Sequence, residues 1–76
     1  MNTVRRARIR DAIEQINAAA VSVGRILEEE QAAYANLPDN IEHSAFAESS
    51  RYAVASLEEA CKFLSDASGA LEKVHV

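Results

Sequence analysis

A chain of 76 residues and 8.3 kDa has room for one domain with a thin core, because 49% of it is hydrophobic but fifteen residues are alanine and only two Phe and two Tyr add bulk. Two glycines and one proline are too little punctuation for the turns of a sandwich or barrel, and the single cysteine, Cys61, excludes an internal disulfide framework and a thiolate zinc site. The net charge of −4 hides a split, since residues 1–10 carry four arginines and no acid (+4), leaving four basic and twelve acidic side chains (−8) for the rest.

The first element is an amphipathic helix over residues 2–36. Ile9, Ile13, Ile16, Ala20, Val23, Leu27, Glu30 and Tyr34 step alternately by four and three, which keeps one stripe facing a partner along a supercoiled helix. Ala12, Ala19, Ile26 and Ala33 form a flanking row. Pro38 lacks an amide hydrogen and pushes Leu37 out of the α region, so the helix stops there. The loop is residues 37–43. Asp39 and Glu42 have the spacing of a capping box, but the long second helix is placed at 44–74 with Ser44 as its cap. Its stripe reads Phe46, Ser50, Ala53, Leu57, Ala60, Leu64, Ala67, Leu71 and Val74, flanked by Ala47, Val54, Cys61 and Ser68.

Two helices of matching length joined by a short loop predict an all-α, antiparallel, coiled-coil-like hairpin as a single domain over residues 1–76. Gly24 and Gly69 sit inside the helices at a cost of about 1 kcal/mol each against alanine, and close backbone approach is the expected reason. A second stripe on helix two (Tyr52, Phe63, Ala70), with Ala18 and Val21 on helix one, finds no partner in a lone hairpin. Self-association into a four-helix bundle or larger ring is therefore expected. The hairpin also makes one end basic, with Lys73 and His75 beside the arginines, and the other acidic. Within single helices, Arg10 with Glu14, Arg25 with Glu29 and Glu58 with Lys62 have pairing distance.

No residue set has the form of an active site. Asp39, His43 and Ser44 contain the letters of a triad, but neighbouring loop residues do not converge as nucleophile, base and orienter. There is no HExxH and no Glu-x-x-His on one helical face, so neither metal nor cofactor is expected. Cys61 reads as a small buried hydrophobe. Arg5, Arg6, Arg8 and Arg10 are the candidates for an anion or an acidic partner, because guanidinium groups hold phosphates bidentately. The acidic remainder and the lack of an aromatic platform argue against long nucleic acid. Glu30 on the stripe predicts a polar layer with Ser50 or Arg51. At the loop end, Tyr34, Asn36, Asn40, His43 and Tyr52 are candidates to line a pocket or interface between hairpins.

From Glu28-Glu29-Glu30-Gln31 through Tyr34-Ala35-Asn36-Leu37-Pro38-Asp39-Asn40-Ile41 to Ser44, and again at Leu57-Glu58-Glu59-Ala60, the chain resembles short helical-hairpin proteins encoded in phages and prophages. The likeness spans roughly residues 26–64 and departs at His43 and at Ala45-Phe46. It implies a phage setting and a helical hairpin, and it carries over no catalytic residue. Two functions follow as expectations. One is a non-enzymatic counter-defence protein that inhibits a host immune protein or sequesters a nucleotide signal as a homo-oligomer. The other is a structural coiled-coil adaptor. No apolar run reaches the roughly 18 residues of a membrane span and no h-region follows the basic start, so the expected location is the cytoplasm of an infected or lysogenic bacterium, away from membranes.

Overall fold

The computed structural model describes residues 2–38, 40 and 44–74. Two helices, α1 (Thr3–Ala35) and α2 (Ala45–Glu72), pack against each other along a rod of 60 × 14 × 13 Å. Each begins at a side-chain cap. Asn2 Oδ1 accepts from the Arg5 amide at 2.8 Å, and Ser44 Oγ accepts from the Ala47 amide at 3.2 Å. These satisfy donors that the first turn of a helix leaves without intrahelical partners. At the end of α1 the Asn36 amide reaches Ala32 and Ala33 and the Leu37 amide reaches Tyr34, a tightened last turn before Pro38. The possible capping box of Asp39 and Glu42, the triad letters at Asp39 and His43, and His75 lie outside the described residues.

The Ser44 cap holds the point where the chain re-enters a helix after the reversal. Ser44→Ala removes that acceptor and should cost about 1 kcal/mol. A thermal melt should read this as a fall of roughly 4–8 °C in a domain of this size.

Cross-helix contacts fix the direction and register of the pair. Asn17 meets Ser68, Glu30 meets Ser50 and Tyr34 meets Arg51, so the helices are antiparallel, with Leu27 level with Leu57 and Ala20 level with Leu64. The same register carries residues 3–11 of α1 past the end of α2 at Glu72. In α1 the stripe from Ile9 to Tyr34 is half-buried at every expected position.

In α2 the inward row differs from the sequence expectation. Ala47 is fully buried, Ser50 is 5% and Ser68 8% exposed, while Phe46 is 67% exposed and Ala67 and Val74 also face out. The row Ser50, Leu57, Leu64 and Leu71 belongs to both phases. The neighbouring row supplies the buried positions, Ala47 and Ser68, in place of Phe46, Ala67 and Val74, while Ala53 and Ala60 stay half-buried as expected, like Val54 and Cys61. That rotation lets the Ser68 hydroxyl donate to Asn17 while Ser50 donates to Glu30, so both buried hydroxyls are bonded. No large side chain among the described residues is fully buried, as expected of two rods that share one seam.

The glycines also depart from expectation. A Cβ at Gly24 or Gly69 would meet nothing within 4 Å, so no close approach inside the hairpin requires either residue.

Candidate functional site

With Ile13, Ala20, Leu27 and Tyr34 as one seam row of α1, and Ala47, Val54, Cys61 and Ser68 as the matching row of α2, the heptads give the hairpin two unlike sides. In an antiparallel pair the two e rows lie on one side of the groove and the two g rows on the other. The e rows are polar: Arg10, Asn17, Gly24 and Gln31 with Arg51, Glu58, Ser65 and Glu72. Among the described residues, side-chain hydrogen bonds cross the groove here. Ser68 Oγ donates to Asn17 Oδ1 at 2.9 Å, Gln31 Nε2 to Glu58 Oε1 at 3.5 Å, and Arg51 Nη1 to Tyr34 Oη at 3.0 Å. The Ser50 to Glu30 bond, 2.8 Å, lies within the seam and forms the polar layer expected there.

The g rows are almost wholly apolar. Beyond Arg5, α1 contributes Ala12, Ala19, Ile26 and Ala33, and α2 contributes Phe46, Ala53, Ala60, Ala67 and Val74. Phe63 and Ala70 extend this surface around α2. Ile26 is 50%, Phe46 67% and Phe63 58% exposed. Sequence reasoning treated the α1 row as a mere flank and put the α2 row in the core. The readable signal was that both flanking rows on one side of an antiparallel pair are apolar. The wrong phase for α2 concealed it.

The four N-terminal arginines do not form one cluster. Successive helix positions are turned by about 100°, which separates them into two pairs. Arg6 and Arg10 line a cleft of about 510 Å³ with Thr3, Ile9, Ile13, Leu71, Glu72 and Val74. Arg5 and Arg8 line another of about 300 Å³ with Ile9 and Ala12, at the basic end of the apolar side. The first pair therefore shares its cleft with the Glu72 carboxylate.

At the other end Tyr34 and Tyr52 also part. Tyr34 is half-buried and shares a cleft of about 520 Å³ with Gln31, Arg51, Val54, Ala55 and Glu58. The Arg51 guanidinium lies 5.9 Å from its ring centroid and 4.0 Å from Glu48 Oε1, within cation–π range. Tyr52 is 79% exposed on the outer surface of α2 beside Ala55, Ser56 and Glu59. Asn36 caps α1 and Asn40 is exposed, while His43 lies outside the described residues. Lys62 pairs forward with Asp66 at 2.8 Å, and Glu58 takes its bond from Gln31 across the groove.

Cys61 is a half-buried free thiol in the seam of α2. Among the described residues no three His, Cys, Asp or Glu side chains gather as a metal-holding group, and no helix is long and apolar enough to cross a membrane. No protein-family model, no curated protein and no solved structure matches the chain.

Proposed function

We propose that the chain is a non-enzymatic, phage-type binding protein of the counter-defence class, which works as a homo-oligomer in the bacterial cytoplasm by occupying a host immune protein or by holding a nucleotide signal. The observation that carries this reading is the two-sided rod, with polar cross-helix bonds on one side and an exposed apolar side on the other. Exposed Phe46, Tyr52 and Phe63 are the kind of aromatic anchor that dominates protein–protein contacts. Division of the arginines into two pairs favours a protein partner over a nucleotide within one hairpin. A nucleotide would need donors from more than one copy.

Two assays test the proposal together. The protein is heated with a panel of linear and cyclic nucleotides, where a ligand at 100 times its Kd adds about 2.7 kcal/mol to stability. In parallel, a tagged copy is used to capture partners from bacterial lysate, with Tyr52→Glu as the control that must lose them. A flat melting temperature across the panel, together with captured material indifferent to Tyr52→Glu, sinks the reading. The rod's length of 60 Å favours a second function, a structural adaptor that joins larger proteins. An adaptor keeps its assembly whatever nucleotide is added.

A further inference from the structure

We infer that the apolar side of the hairpin is the docking face for a second copy of this chain, stacked antiparallel so that the loop end of one copy lies over the open end of the other. The inference rests on the homo-oligomer in the proposed function and specifies its face and direction. Area supports it first. One flat side of a rod 60 × 14 × 13 Å offers on the order of 800 Å², the share that each partner buries in a standard-size interface. Alanine rows with Ile26 and Phe63 between them suit a helix layer packed at the short end of the usual 8–10 Å spacing.

Charge sets the direction. The edge of this face along α1 runs Arg8, Gln15, Ser22, Glu29, basic at the open end and acidic at the loop end. An antiparallel stack, with its two-fold axis across the rod, lays α1 on the partner's α1 and brings each Arg8 to the partner's Glu29. The parallel alternative would gather Arg5, Arg8 and Lys73 of both copies at one end. Like charges brought together select against that arrangement. Either stack makes all four neighbouring helix pairs antiparallel, the arrangement of an up-down bundle, so the charges make the choice.

Within one chain Arg8 and Glu29 lie about 30 Å apart along a single helix, so any coupling between them is between copies. Light scattering on the full chain at micromolar concentration should give twice 8.3 kDa, and Ile26→Glu should give a monomer. Arg8→Glu turns two attractions into two repulsions and should weaken association roughly tenfold. Arg8→Glu with Glu29→Arg should restore it to within about threefold. If Ile26→Glu loses helicity, the charge pair still decides. A monomeric wild type, an assembly unmoved by Arg8→Glu, or a double variant no better than the single overturns the face or its direction. A monomer that still captures a host protein would fail this inference and spare the binding function. A dimer that captures neither protein nor nucleotide would do the reverse.

Discussion

Gly24→Ala combined with Gly69→Ala should raise the melting temperature by roughly 10 °C. Glycine inside a helix loses more backbone freedom on folding than alanine, and each exchange is worth about 1 kcal/mol. The gain is realised only where the new methyl fits. Both glycines have ordinary negative φ, and a Cβ at either would meet nothing within 4 Å. Gly24 lies in the polar e row, and Gly69 lies on the outer surface of α2 next to that side. The apolar face is therefore left untouched. They stand about 13 Å apart along the rod, so the two effects should add. Calorimetry on both single variants and the double would check this. A melting temperature that falls would mean that another chain packs against these bare positions.

The heptads of α1 were legible because most of its bulk falls on one stripe of two adjacent rows. Ile9, Ile13, Ile16, Val23 and Leu27 have no rival phase, and the structure half-buries each of them. The Pro38 stop and the Ser44 cap were legible for local reasons, each resting on one residue's hydrogen-bonding or steric limits. In α2 two phases compete, since Leu57, Leu64 and Leu71 are common to both and small residues flank them on either side. Hydrophobic weight favours Phe46 inward, yet the rotation adopted is the one in which the Ser68 hydroxyl reaches Asn17 across the groove. Pairing across the groove depends on both helices at once, so the periodicity of α2 alone does not reveal it. The arginines misled for a related reason. Nearness in sequence suggested a cluster, while the helical turn sends Arg5 and Arg8 to one side and Arg6 and Arg10 to the other.

The two phases of α2 make opposite forecasts for Ala47→Leu. If Phe46 held the seam, position 47 would be a flank, and a leucine there would change stability by no more than about 0.5 kcal/mol. With Ala47 fully buried, three added carbons enter a closed site level with Leu37, where the chain has just reversed and the helices cannot spread independently. Overpacking of this kind costs about 1–3 kcal/mol, which in a domain of this size lowers the melting temperature by roughly 4–24 °C. Ala55→Leu supplies the control. It adds the same carbons to the same helix at an exposed position, so helix propensity alone leaves it within about 0.5 kcal/mol of the parent. Denaturation of both variants in urea separates the cases further. A lower midpoint with an unchanged slope marks lost stability in the same folded state, whereas a changed slope would mean that α2 had rotated to relieve the leucine. The second outcome would return Phe46 to the seam and remove one end of the apolar face.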